Sequence, residues 1–327
     1  LLRVYKVENG RLGELPADGG GELPGGFMWL DLVQPTSDEE ERVQRALGID
    51  IPTRDEVSEI QTSSRLVSTE GSLYMSALVP YERERQPLDT LPVTFVRHGD
   101  HLVTVRYGHP EAVDRLVERS RAGLVRLDDA DSILAAMIES IVDRIADRLE
   151  SVGQHLRDLE ASVFRRGVHI QGEPRRSLGR RIQLLQGTIE KLGASHQSIV
   201  ELRESLGSLS RLVAFRRAHG AAEDNRLKVI EQDLRGIIEH TVDLTANMEF
   251  VLDATVGLID VQQNKVIYIL SIVSVVLTPP VLVASVYGMN FQHMPELAWL
   301  LGYPWALALM LVSAVLPFFV FKWKGWL

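Results

Sequence analysis

Two stretches near the C-terminus limit what this chain can become more than any other feature. Residues 266–287 and 298–321 are apolar runs of 22 and 24 residues without one charged side chain. At about 1.5 Å of rise per residue each reaches roughly 33 Å or more as a helix, enough to cross a hydrocarbon core of about 30 Å. Only ten residues, 288–297, join them. Backbone polar groups inside a bilayer must bond within their own segment, so the runs are expected to form a transmembrane helical hairpin with both ends on one side. Lys265, Lys322 and Lys324 flank that side, which the positive-inside rule assigns to the cytoplasm. Leu1-Leu2-Arg3 carries no signal-peptide pattern, so no other membrane segment is expected.

The first run is patterned. Asn264, Ser271, Ser274, Thr278, Ser285 and Gly288, joined by Ile267 and Val281, step by three and four along one helical face, and Leu270 is counted with them as a lining position. A stripe of small and polar residues on a membrane helix is either a packing seam or the wall of an aqueous path. A lone hairpin has no interior, so the second reading requires several copies around an axis. The seven-residue spacing of positions 264, 271, 278 and 285 then implies left-handed coiling of those copies. Pro279 and Pro280 fall within the same helix and read either as a tolerated kink or as a gating bend.

The residues beyond the first run are more specific. The chain reads Tyr287-Gly288-Met289-Asn290-Phe291, then Met294-Pro295-Glu296-Leu297, then Gly302-Tyr303-Pro304, and closes Phe321-Lys322-Trp323-Lys324-Gly325-Trp326-Leu327. Over about residues 263–327 it resembles the CorA family of magnesium channels, with a looser likeness in layout and at Trp29-Leu30-Asp31-Leu32. The resemblance implies a homopentameric inner-membrane channel for hydrated Mg2+, with Co2+ and Ni2+ as secondary ions. Gly288, Met289 and Asn290 would form its outer entrance. The chemistry is coherent. Mg2+ prefers six oxygens and gives up water reluctantly, so a filter can hold the hydrated ion with neutral oxygens such as the Asn290 amide. Gly288 leaves its carbonyl exposed and permits the turn out of the helix. Met289 is expected to pack the loop, since a thioether is a poor partner for a hard cation.

The resemblance also implies closure by intracellular Mg2+ bound between neighbouring cytoplasmic domains. Asp89, Asp233 and Glu239 are the candidate ligands, although Gly236 stands where one register expects an acid. Two alternatives stay open. One is a zinc transporter of the same superfamily, whose signature less often carries Met in the middle. The other is a membrane-anchored sensor or scaffold without flux.

The remaining chain reads as soluble structure. Of the net charge of -9, the membrane part contributes +1 through Glu296, Lys322 and Lys324, which leaves -10 on residues 1–265. That balance argues against nucleic acid and suits a protein handling cations. The absence of cysteine excludes disulfides and thiolate metal sites. Residues 1–125 read as an α/β cytoplasmic domain, with strands expected at 3–7, 27–32, 65–68, 73–79, 92–97 and 101–106 and a helix after Pro110. Gly19 to Gly21 read as plain linker. Ser37 with Glu40, and Thr53 with Glu56, are read as capping boxes. Glu70-Gly71 and Gly99-Asp100 read as tight turns.

Long antiparallel helices are expected over 126–220, at about 133–166 and 175–217 with a turn at 167–174. A stalk helix over 221–287 is expected to continue into the first membrane helix (266–287), followed by an outer loop (288–297), a second membrane helix (298–321) and a basic tail (322–327). In the stalk, Ile230, Leu234, Ile237, Thr241, Leu244, Met248, Val251, Thr255 and Leu258 alternate by four and three, a seam for copies of this helix or for its own preceding helices. Glu139, Asp143, Asp147 and Glu150 share a helical face beside Arg144 and Arg148 and read as a solvated face. His98, Asp100 and His101 read as turn residues, and His293 as a polar loop residue. No nucleophile elbow or phosphate-binding loop is present, so no enzyme is expected.

Overall fold

The computed structural model describes the whole chain except residues 17–20, 55, 57–65, 70, 82–87, 169–177, 222–223, 291–293, 296–298 and 325–327, and the side chains of 165–168, 178 and 181. Gly19, Gly20, Glu70, most of the 167–174 turn, His293, Glu296 and Leu297 therefore lie outside the described residues. The chain divides into two compact units, residues 1–170 with 186–253, and residues 171–185 with 254–327.

The first unit is built on strands β1 (Leu2–Glu8), β2 (Arg11–Leu15), β3 (Trp29–Val33), β4 (Leu66–Thr69), β5 (Ser72–Tyr81), β6 (Asp89–His98) and β7 (His101–Arg106), in sheet order β2-β1-β3-β7-β6-β5-β4. All described pairings are antiparallel except β3 with β7. Strand β2 is an addition to the expected strands, because only Leu12 and Leu15 mark it as apolar. Asn9-Gly10 makes the turn to β1, with φ of 51° and 77°; this Asn-Gly pair is the hairpin signal that identifies the strand.

Helix α1 (Ser37–Leu47) corrects one expectation. Its capping box is Thr36 with Glu39, one residue before the predicted Ser37 with Glu40. Glu39 also accepts from the Leu2 amide at 2.9 Å, so a partner distant in sequence selects it over Glu40. The Thr53–Glu56 box is present as predicted, with the Thr53 amide 2.9 Å from Glu56 Oε2.

Val43 of α1 closes an apolar cluster with Leu2, Val4, Leu30, Leu32, Val96, Val103 and Val105 on one sheet face. Helix α2 (Glu111–Arg121) covers the other face. There Asp31 and Arg106, both fully buried, pair across the parallel strands, Arg106 Nη2 lying 2.8 Å from Asp31 Oδ2 and Nε 3.0 Å from Oδ1. The Thr104 hydroxyl donates to Asp31 Oδ1 at 2.8 Å and accepts from Trp29 Nε1 at 3.0 Å. The acid is thus satisfied on both oxygens, the condition for tolerating a buried ion pair.

Three long helices come next: α3 (Ala130–Val168), α4 (Leu178–Ala218) and α5 (Asn225–Tyr287). Helix α3 runs through Gly167, a residue expected in the turn. At its start Asp131 bridges Arg97 of β6 (3.2 and 3.1 Å) and Arg216 of α4 (3.1 and 2.8 Å). Burial alone would raise the Asp131 carboxyl, but the hydrogen bonds and charges of the two guanidinium groups outweigh it and hold it below its usual value. A depressed folded value stabilises the fold above the unfolded value near 4, and this contribution is lost as pH falls through the folded value. Asp131→Asn is therefore expected to cost on the order of 2 kcal/mol at pH 7. The difference from the parent should shrink in acid below about pH 3, read as Tm across a pH series; a gap constant with pH would show that the charge contributes nothing.

The α5 seam is filled from within the chain. Ile230, Leu234, Thr241, Leu244, Met248 and Val251 are buried. Phe250 stacks on Phe164 of α3 with ring centroids 5.8 Å apart. Leu244 lies against Gly153 of α3, where an added Cβ would stand 3.4 Å from it. Arg226 of α5 clasps Glu139 of α3 through two bonds of 2.6 Å. Of the two partners the sequence allows for this stretch, the preceding helices are the ones present.

In the second unit, the C-terminal part of α5 and helix α6 (Gly302–Trp323) are long and apolar enough to cross a membrane. None of the most apolar window of α5 is buried, and almost none of that in α6. A soluble core helix would show the reverse.

Candidate ion pathway along the membrane helix

Three of the four hydroxyls of the α5 stripe reach back one turn. Ser271 donates to the Ile267 carbonyl at 2.9 Å, Ser274 to Leu270 at 2.9 Å and Thr278 to Ser274 at 2.6 Å. Such bonds satisfy a hydroxyl where bulk water is scarce. Asn264, Ile267, Leu270, Ser271, Ser274, Thr278, Val281 and Ser285 lie along a face that the chain leaves largely uncovered, with Ile267 and Val281 exposed to 61% and Leu270 to 64%. The stripe is therefore no packing seam within one chain. The helix continues through Pro279 and Pro280, which bring no N–H to the carbonyls of Val275 and Val276.

The helix ends at Tyr287. The Gly288 amide still bonds the Ala284 carbonyl at 2.9 Å and the Met289 amide the Val286 carbonyl at 3.3 Å. A Cβ on Gly288 would stand 3.2 Å from the Ala284 oxygen, so the close last turn, rather than a left-handed φ, is what glycine serves here. Met289 is 47% exposed among the described residues. Asn290 is exposed and forms no hydrogen bond to another described residue.

The acidic candidates are dispersed. Asp89, at the start of β6, accepts from the Thr90 amide at 2.8 Å, while Asp233 and Glu239 sit exposed on α5. Among the described residues of one chain, no group of three or more His, Asp or Glu side chains is arranged to hold a metal. Three of the four acids on one face of α3 are paired, Glu139 with Arg226, Asp143 with Arg119 at 3.2 Å and Asp147 with Arg115 at 3.7 Å, while Glu150 is exposed. His98 bonds the Ser72 hydroxyl at 2.8 Å and His101 the Phe27 carbonyl at 3.1 Å, both roles of a hairpin turn. Sequence reasoning passes over Gln262, only 4% exposed and with no partner for Oε1 among the described residues; it is the next step of the four-three alternation after Leu258, a signal that marks it as a seam position.

The family described as CorA-like Mg2+ transporter protein matches residues 24–323, a span that holds residues 288–290 and both membrane-length helices. The chain belongs to the CorA family. Magnesium transport protein CorA of Yersinia pseudotuberculosis serotype I is 31% identical over 330 residues, covering 100% of each chain. The protein of that name from Escherichia coli strain K12 is 31% identical over 327 residues, also covering 100% of each. The complete structure of the CorA magnesium transporter from Methanocaldococcus jannaschii matches with TM-score 0.74 at 16% identity, covering 100% of this chain and 99% of that one. The CorA fold thus extends over an α/β head, long helices and a C-terminal apolar helix. The family model begins after β1 and β2, whereas the full-length relatives and the M. jannaschii structure cover them as well.

Proposed function

We propose that five copies of this chain form an inner-membrane channel that admits hydrated Mg2+ down the membrane potential, with Co2+ and Ni2+ as secondary ions. One observation carries the reading: the stripe from Asn264 to Ser285 is polar, lies on a membrane-length helix and is left uncovered by its own chain. Copies around an axis would enclose it. At its outer end Asn290 would offer one neutral amide oxygen per subunit to the water shell of the ion. The naming of full-length relatives as magnesium transport proteins supports the choice of ion. Purified protein in liposomes should carry Mg2+, and Co2+ more slowly. Zn2+ flux without Mg2+ flux would favour the zinc reading, and an oligomer with no flux the scaffold.

Orientation is set by Lys265, Lys322 and Lys324, which flank the same ends of the two helices. Both termini are cytoplasmic in this reading and residues 288–297 face outward. Protease added to intact spheroplasts should spare residues 1–250; extensive cleavage there would reverse the orientation.

Gating would reside in the acidic soluble part. Copies each carrying -10 over residues 1–265 repel one another when bare. Mg2+ bridging Asp89 of one copy to Asp233 or Glu239 of the next would hold a closed arrangement, and its loss would release it. The exposure of all three acids fits a site shared between copies. Neutralising Asp89, Asp233 and Glu239 together should leave the channel conducting at internal Mg2+ concentrations that close the parent. Unchanged inhibition would make these residues surface charge.

A further inference from the structure

The strands β3 and β7 are the one parallel pair among the described strands, and the chain leaves them in opposite directions. Strand β3 leads to α1, packed through Val43 on the face of Leu30, Leu32, Val103 and Val105. Strand β7 leads to α2, whose Asp114 meets Arg3 at 3.3 Å and Arg106 at 3.5 Å on the other face. Parallel neighbours whose helices part in this way open a crevice beyond their carboxyl ends, the place where open α/β sheets bind ligands. A cavity of about 450 Å³ lies there, within the size range of small-molecule sites. Gln34 directly after β3, Tyr107 directly after β7, Ser37 and Glu40 of α1, and Thr53 with Arg54 line it.

Among the described residues the lining carries one cation and one acid. The Arg54 guanidinium stands over the Tyr107 ring, 5.8 Å from its centroid. Glu40 accepts from the Tyr107 hydroxyl at 3.5 Å. Burial pushes the Glu40 carboxyl up, with the hydroxyl opposing and the adjacent Glu39 adding to the rise. The first turn of α1 already holds Asp38, Glu39 and Glu40, so a phosphate would meet like charge. A ligand with one positive and one negative end meets complementary charge instead. Its carboxylate can take Arg54 as a bidentate partner and its ammonium can donate to Glu40. The Ser37 hydroxyl and Gln34 amide add neutral hydrogen bonds.

We propose that this crevice binds a small amino-acid zwitterion, with its carboxylate on Arg54 and its ammonium on Glu40. The crevice lies wholly in the first unit, so binding there does not depend on the channel reading. The test is a ligand-observed NMR titration of the full-length protein in detergent with each of the common amino acids, and with inorganic phosphate as control. At least one amino acid should bind with Kd below ~1 mM. Arg54→Gln and Glu40→Gln should each weaken it at least about tenfold, the loss of one charge-assisted bond, with Tm unchanged. Absence of binding by every amino acid up to ~10 mM would overturn the proposal. So would binding that survives both substitutions, or equal binding of phosphate.

Discussion

Asn290→Ala is expected to remove most Mg2+ flux while the protein still folds and assembles. Asn290 is exposed, lies just past the end of α5 and has no hydrogen bond to another described residue, so its side chain supports little of the fold. A hydrogen bond to a charged partner is worth about 1.5–3 kcal/mol, roughly a factor of 10 to 100 for a single amide. In an assembly every copy loses its amide at once, so flux should fall by at least about tenfold and toward background. The measurement is Mg2+ uptake into liposomes, with the size of the purified oligomer as control. Parent-like flux from a correctly assembled variant would remove Asn290 from the entrance. Asn264→Ala, at the inner end of the same stripe, should change the conducted current more than the preference among ions.

Arg106→Met is expected to produce the largest loss of stability. The substitution removes the partner of Asp31 inside the sheet, where both side chains are essentially inaccessible to water. Breaking a buried pair from one side costs about 3–5 kcal/mol, because the remaining charge is left uncompensated. That is a large share of the roughly 5–15 kcal/mol that holds a typical domain. Adding Asp31→Leu should recover much of the loss, since an apolar pair of similar volume carries no desolvation penalty. Thr104 tempers the recovery, because its hydroxyl loses Asp31 as an acceptor while still accepting from Trp29. Denaturant unfolding of both single variants and the double variant gives the coupling. Additive effects would show that the two side chains do not depend on each other.

Much of the architecture is legible in the sequence because the signals are long. The 22 uncharged residues of 266–287 and the four-three alternation of the stalk leave few other conformations. Short signals are less secure. The α1 cap sits at Thr36 rather than Ser37 because Glu39, not Glu40, meets the Leu2 amide, a contact distant in sequence. The crevice beyond the carboxyl ends of β3 and β7 has no motif at all. It arises from Gln34 and Tyr107, more than 70 positions apart, becoming neighbours when β3 pairs with β7. The seam of α5 shows its period but not its partner, since an apolar face looks the same whether a sister copy or the same chain covers it. Asp89, Asp233 and Glu239 pose the same difficulty, because acids that would act only between copies are ordinary surface charges within one.

The hydroxyl groups of Ser271, Ser274 and Thr278 have a polarity of their own. Each spends its single hydrogen on a carbonyl of its own helix. The outward side of each oxygen is left with lone-pair density. An ion passing such a surface is sorted by the orientation of its water shell. The shell of a cation turns hydrogens outward and finds acceptors, whereas that of an anion turns oxygens outward and finds no donor in these three hydroxyls. Three hydroxyls pointing this way would favour a hydrated cation over a hydrated anion without a single ionised side chain.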